Sequence, residues 1–254
     1  MIRSRWVALP LAVSLGLAAR SGEALAAAEV HRLSLVISGI PTQISAKDYN
    51  DFLEQFNRQA LAPFGVEGIK KIQFAWLFDA QLRYFVRPNV AVSAGAGQLR
   101  SFSKREFLPG IQQDVQLRAE ILSVPVHVGG AYYLAPYNQG DFQARAYLGA
   151  GFMSMVYNRG RLGQVATGFD SATGVAANFK VTAKRDSPGY YLEGGAHMFF
   201  AVRYSVMLGL VYRSAKIRDM QGYLFQGGRR IPLGRLYDLD TSGIGARMGL
   251  GIGF

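Results

Sequence analysis

Residues 244–254 alternate without a break. Ile244, Ala246, Met248, Leu250, Ile252 and Phe254 share one phase, and Gly245, Arg247, Gly249, Gly251 and Gly253 share the other. A period of two is that of a β-strand with two unlike faces. Residues 142–157 repeat it, with Phe142, Ala144, Ala146, Leu148, Ala150 and Phe152 set against Gln143, Arg145, Tyr147, Gly149, Gly151 and Met153. Residues 74–86 and 204–214 do the same, and weaker alternation runs through 33–40, 90–99, 114–134 and 190–200. The pattern predicts eight strands, many of them long enough for the roughly 9–11 residues that a tilted strand needs to cross a bilayer. Pro125 interrupts the fourth, which calls for a bulge or a rim position. The apolar phase is expected to change near Ile121 and Leu122.

Helical periodicity occurs once, over residues 45–61. Tyr49, Phe52, Leu53 and Phe56 fall at i, i+3, i+4 and i+7, one apolar stripe. Ser45 and Asp48 suit an N-terminal capping pair, and Pro63 and Gly65 end the run. The links between strands alternate in length: tight at 87–89, 135–141 and 201–203, long at 41–71, 100–113, 158–180 and 215–240. Short turns on one side and long loops on the other are the habit of membrane barrels. The helix then sits in the first long loop. Its polar face mixes Lys47, Asp48, Asp51, Glu54 and Arg58, which favours a lid on the barrel mouth over a basic interfacial anchor.

Composition sharpens this picture. The chain has 254 residues, half of them hydrophobic and 18% charged, with 30 glycines and no cysteine. No window beyond the N-terminus is apolar enough for a membrane helix, and no disulfide, thiolate metal site or cysteine nucleophile is possible. Mean hydropathy is only +0.10, because averaging merges two faces of opposite character. Arg3 and Arg5, an apolar run over 7–19 and small residues at 24–28 read as a secretory signal peptide over 1–28. Residues 29–254 read as one barrel domain without an internal boundary. The leader holds three arginines and one glutamate, so its removal leaves a formal +9 of the chain's +11.

Alternation alone does not say which face is outside. A soluble barrel would carry hydrated lysines and glutamates outward. Here the polar phase is mostly glycine, serine, glutamine and tyrosine with scattered arginine. Glycine serves little on a solvated face, but it makes room inside a narrow eight-stranded barrel. The apolar phase is therefore assigned to lipid, with Trp76, Tyr84, Phe142, Tyr190, Phe200, Tyr204 and Tyr212 as interfacial girdles.

Leu250, Ile252 and Phe254 at the chain end resemble the C-terminal assembly signal of bacterial outer-membrane proteins. The stretch Leu122-Ser123-Val124-Pro125-Val126, running on to Tyr132-Tyr133-Leu134, resembles a segment common in that class. Nearly the whole mature chain resembles, in pattern, the small eight-stranded outer-membrane barrels of the OmpW and OmpA/OmpX type. The first-loop helix departs from their plainest members. The resemblance implies an integral outer-membrane protein of a Gram-negative envelope, inserted by the barrel assembly machinery. It implies a structural or interaction role, or passage of small apolar molecules sideways into the membrane.

Lumen-phase charges are expected at Asp79, Arg83, Arg118, Glu120, Arg145, Glu193, Arg213 and Arg247. Charges removed from water must be paired, so these are read as a network plugging a monomeric barrel. Five arginines against three acids leave an excess for internal water or an anion. A gated, anion-selective pathway is the sharper alternative, and eight strands seldom leave a channel. Arg159, Arg161, Arg229, Arg230 and Arg235 lie in the long loops, where lipopolysaccharide phosphates are natural partners for basic side chains. A lipid-modifying barrel enzyme is the competing class. Its ingredients would be Glu193, His197 and Ser205, but residues four apart on a strand lie about 13 Å apart, so Glu193 does not serve His197. No cofactor or metal is expected. The basic pI of about 10.0 has no nucleic-acid motif beside it, and export argues against that partner.

Overall fold

The computed structural model describes residues 31–64, 67–110, 113–167, 179–200, 203–226 and 229–254. The expected leader lies outside them. In chain order the strands are β1 (Leu33–Gln43), β2 (Phe74–Arg87), β3 (Val90–Gly110), β4 (Gln113–Tyr133), β5 (Tyr137–Gln139), β6 (Phe142–Thr167), β7 (Phe179–Lys184), β8 (Ser187–Phe200), β9 (Tyr204–Ser214), β10 (Lys216–Gln226), β11 (Arg229–Asp240) and β12 (Gly243–Gly253). Helix α1 (Lys47–Phe56) follows β1 and runs on through a wider turn, Asn57–Leu61.

Eight strands close a ring of antiparallel neighbours: β1, β2, β3, β4, β6, β8, β9 and β12. The closing seam pairs Ile37 with Leu250 and Leu35 with Ile252, and the Phe254 N–H reaches the Leu33 carbonyl at 2.9 Å. Every predicted strand is present. β4 keeps its predicted bounds to within one residue, while β3 and β6 run well past their predicted ends.

The apolar phase faces outward, as expected. Leu250 is 69%, Leu148 67% and Phe152 76% exposed, values that a water-soluble core would reverse. Aromatics ring the band near both rims: Tyr84, Tyr132, Phe200, Tyr204 and Phe254 at the short-turn side, Phe74, Trp76, Phe102, Tyr190 and Tyr212 at the other. The glycines of the inner phase make room. A Cβ on Gly129 would stand 2.2 Å from the Tyr191 hydroxyl, and one on Gly151 2.5 Å from its ring. With nearly all ring backbone groups paired around a closed sheet, this is a structure that a hydrocarbon layer tolerates.

Above the band the molecule changes character. The links expected as loops over 158–180 and 215–240 contribute β7, β10 and β11, which continue the sheet in the order β6-β7-β10-β11. β6 serves two partners in turn: residues 142–155 pair with β8, and residues 159–164 pair with β7. The step between them is a bulge opposite Val124 and Pro125, where Tyr157 and Met155 follow one another in register. The buried Asn158 side chain fastens the branch, donating to the Met155 carbonyl at 2.9 Å and the Arg185 carbonyl at 2.6 Å.

In this upper storey the apolar side chains point inward. Leu117, Ala119, Ile121, Leu162, Ile217 and Leu239 form a core with Tyr49 and Leu53 of α1. Strand parity does not change along β4, but the apolar residues move from its outer to its inner phase, as anticipated near Ile121. α1 is a lid. Its Asn50 amide grips the backbone of Ile72 through two bonds of 2.8 Å, and its Tyr49 ring meets Tyr237 of β11 edge-on at 5.0 Å. Burial pushes the Tyr49 phenol above its usual value. It therefore stays protonated, donating to the Arg161 carbonyl at 2.8 Å.

The predicted capping pair does not form. The residue before the helix is Ala46, in the left-handed region at φ 38°, with no side-chain cap. The N–H groups of Ser45 and Ala46 instead bond the carbonyls of Ser242 and Asp240, so tertiary backbone bonds set where the helix begins.

Leu250 lies near mid-band on the outer face. Leu250→Arg is expected to destabilise the folded barrel by roughly 2–4 kcal/mol, read as a lowered urea midpoint in lipid vesicles. Arg229→Gln, on an exposed position, should stay within about 0.5 kcal/mol.

Candidate functional site: the barrel lumen and the wall above it

The inner phase carries a connected polar chain. Arg83 of β2 is fully buried. It donates to the Tyr133 hydroxyl at 2.6 Å, to Glu193 Oε1 at 2.8 Å and to Gln81 Oε1 at 3.1 Å. Arg247 of β12 donates to the other oxygen of Glu193 and reaches Asp79 Oδ2 at 3.3 Å. Asp79 Oδ1 lies 2.8 Å from His127 Nε2. Tyr133 continues to His197 Nδ1 at 3.0 Å, and His197 Nε2 lies 2.9 Å from Ser205 Oγ. Strands β2, β4, β8, β9 and β12 are thus linked across the lumen. Both Glu193 oxygens hold a guanidinium, and a buried pair of this kind stands or falls as a unit.

Of the eight predicted lumen charges, Asp79, Arg83, Glu193 and Arg247 form this network. Arg213 is buried but bonds the Thr241 carbonyl through Nε and Nη2 at 3.1 and 2.8 Å. Arg145 is buried with its guanidinium 5.3 Å from the Tyr133 ring centre. Arg118 and Glu120 are not in the lumen. They share the outer face with exposed Phe102, which Glu120 faces directly in register. Taking Leu117, Ala119 and Ile121 as the lipid phase put their neighbours inside. Above the membrane the core draws those apolar residues inward and the charges come out. Gln81, His127 and Tyr133 also belong to the network. Their only signal was position on the inner phase.

The structure brings Ser205 to His197, as the enzyme alternative requires. Their bonding then runs the other way. Tyr133 OH accepts from Arg83, so its own proton is available to His197 Nδ1. Nε2 then carries hydrogen and donates to Ser205, a tautomer assigned from the network. Glu193 stays with its two arginines.

Around His127, Arg213 and Arg247 lies a cavity of about 20 Å³, on the order of one water. Above it the apolar core under α1 takes over, and toward the short-turn rim Phe85, Ala91 and Phe199 are buried in a second apolar cluster, so the ionic layer lies between two apolar ones.

Among the predicted loop cations, Arg229 and Arg230 are exposed on β11, and the Arg230 guanidinium stands 3.7 Å over the Tyr223 ring. Arg235 is already paired, with Asp219 at 2.8 Å and Asp238 at 3.3 Å. Arg159 and Arg161 sit on the outer wall of β6, in register with Leu122 and Glu120. Among the described residues, no group of three metal-ligating side chains occurs.

A closed eight-stranded ring with an outward apolar band, aromatic girdles and a filled lumen defines a β-barrel of the kind that spans membranes. No protein-family profile matches the chain, and no curated protein does. Among solved structures, it is similar to the outer membrane protein OprG from Pseudomonas aeruginosa, at 15% identity over 89% of this chain and 98% of that one, with a TM-score of 0.45. It is also similar to the N-terminal β-barrel domain of Pseudomonas aeruginosa OprF, at 9% identity over 88% and 98%, TM-score 0.35. The outer membrane protease OmpT from Escherichia coli matches at 10% identity over 87% and 95%, TM-score 0.36. Likenesses this distant transfer no residue roles.

Glu193→Gln should strand Arg83 and Arg247 in the lumen at a cost of about 3–5 kcal/mol, seen as loss of heat-modifiable gel mobility at lower temperature. Ser205→Ala removes only the last member of the chain and should cost about 1 kcal/mol.

Proposed function

We propose that this protein is a plugged, non-catalytic outer-membrane barrel that acts through its outer surface. It serves as a membrane-anchored platform rather than a pore. The observation that carries the reading is the doubly held Glu193, with Arg83 and Arg247 on its two oxygens, under the apolar core that α1 closes. An aqueous path would have to break a buried ionic network and then wet a core of leucine and isoleucine. Both steps are costly. The upper storey, where Tyr49 and Phe52 of α1 pack on Tyr237 of β11, carries the sheet beyond the membrane as the interacting surface. Lipopolysaccharide in the outer leaflet is the lipid partner, and the barrel assembly machinery the route of insertion. Glu193, held on both oxygens by Arg83 and Arg247, is not available to orient His197, which speaks against a serine–histidine–acid triad.

Sideways passage of small apolar molecules is the second reading. It is favoured by the apolar upper interior, and by a groove in the lipid-facing wall lined by Val92, Val128, Gly130, Ala150, Phe152 and Leu192.

Planar bilayers containing the refolded protein are expected to stay silent in salt. Lipopolysaccharide incubated with it should keep its acyl and phosphate groups by mass spectrometry. Steady unit conductance would overturn the plug, and turnover would overturn the non-catalytic reading. Deleting Phe254, whose N–H closes the seam to Leu33, should slow insertion by the assembly machinery at least several-fold. Unchanged surface levels in cells would remove the terminal-signal role.

A further inference from the structure

Antiparallel register arranges the outer wall of β2, β3, β4 and β6 in rows. One row holds Phe78, Gln98, Val124 and Tyr157, grouping cross-strand partners from the adjoining pairs. The next, about 7 Å further out at two residues per step, holds Trp76, Arg100, Leu122 and Arg159. The third holds Phe102, Glu120 and Arg161, and the fourth Lys104, Arg118 and Gly163. The wall therefore turns from aromatic and apolar to cationic within one row. The change falls at the level of the Trp76 girdle.

Four arginines in this sector surround one carboxylate. Glu120 is nearly inaccessible, with Arg100 at 3.0 Å and Arg118 at 3.6 Å. It neutralises one charge and leaves three. The Arg100 side chain is still 49% exposed and that of Arg118 36% exposed. The Nε atoms of Arg118 and Arg159 are buried with no hydrogen-bond partner among the described residues. On the opposite wall, the corresponding rim positions of β9 and β12 are Tyr212 and Ile244, so the cationic patch belongs to one sector.

We propose that Arg100, Arg118, Arg159 and Arg161 form a binding site for the phosphate of a phosphorylated glycolipid headgroup, the lipid A part of lipopolysaccharide. Its acyl chains would lie down the wall over Phe78 and Val124. The proposal rests on the outer-membrane reading above and adds the place and chemistry of the lipid contact. Arginine suits the site because its planar fork meets two phosphate oxygens at once. The site lies on the barrel wall, so the exposed Arg229 and Arg230 are not part of it. A phosphate anchored to acyl chains is already at the height of the arginines, whereas free phosphate must be held by the charges alone.

The test uses the full chain refolded in detergent, with its folded state checked by heat-modifiable mobility. Native mass spectrometry then measures binding of bisphosphorylated lipid A, dephosphorylated lipid A and inorganic phosphate. The bisphosphorylated lipid should bind about tenfold or more tightly than the dephosphorylated one. Millimolar inorganic phosphate should not displace it. R159Q/R161Q, which leaves Glu120 paired with Arg100 and Arg118, should abolish the preference. R159K/R161K should keep part of it, and R229Q/R230Q should keep all of it. Equal binding of the two lipids, an unaffected R159Q/R161Q protein, or displacement by inorganic phosphate would overturn the site. In any of those cases a barrel that still inserts into vesicles leaves the outer-membrane reading standing. A chain that folds only in water and never inserts sinks that reading itself.

Discussion

Hydrocarbon contains no water, so each backbone N–H and C=O that crosses it must find a partner in the chain. That constraint governs this structure. It forces the first and last strands together, Ile37 beside Leu250 and the terminal Phe254 N–H on Leu33. Closure with eight strands fixes a narrow interior. The narrow interior in turn requires glycine wherever a large inner side chain passes, as Gly129 and Gly151 do for Tyr191. It also leaves little room for water around ionised groups, which explains why Glu193 is held on both oxygens and not on one.

The two storeys of the molecule follow from a change of solvent along one continuous strand. β4 keeps its parity from Gln113 to Tyr133. Below Pro125 its outward residues Val126, Val128 and Tyr132 are apolar and exposed. Above it the buried inner residues Leu117, Ala119 and Ile121 are apolar instead. Geometry did not flip; the surroundings did. Lipid outside rewards apolar residues outside, and water outside rewards them inside. The β6 bulge opposite Pro125, pinned by Asn158, is placed where this changeover needs the sheet to shed β8 and take on β7.

The same change of solvent marks how far the sequence could be read. Within the membrane, alternation with glycine on the inner phase specified strand, face and closure, and all eight ring strands were legible. Arg118 and Glu120 were misread because a rule learned inside the bilayer was carried past its edge. β10 and β11 were missed for a different reason. Their pairing has shifts at Met220 and Gly222, which blur the period of two, and Pro232 argued against a strand. Tyr223-Leu224-Phe225 and Ile231-Pro232-Leu233 around Gly227-Gly228 were the available hairpin signal. The lumen network was half legible. Charge on the inner phase named Asp79, Arg83, Glu193 and Arg247. Which oxygen each guanidinium takes depends on the shear of the closed ring, which one strand does not encode.

A charge census explains why the lumen and the wall solve opposite problems. Inside, Tyr133, Gln81 and the Thr241 carbonyl accept from the arginines beside the two carboxylates, although the Nε groups of Arg83, Arg145 and Arg247 find no partner among the described residues. Such acceptors suit a sealed space, because they need no counterion from solution. Outside, Glu120 pairs with Arg100 and Arg118 at 3.0 and 3.6 Å. If the wall arginines served only to hold Glu120, Arg100 and Arg118 would suffice, and Arg159 and Arg161 would be surplus on a surface next to lipid. On the proposed reading, lipid phosphates at the level of Trp76 supply the counter-charge for Arg159 and Arg161.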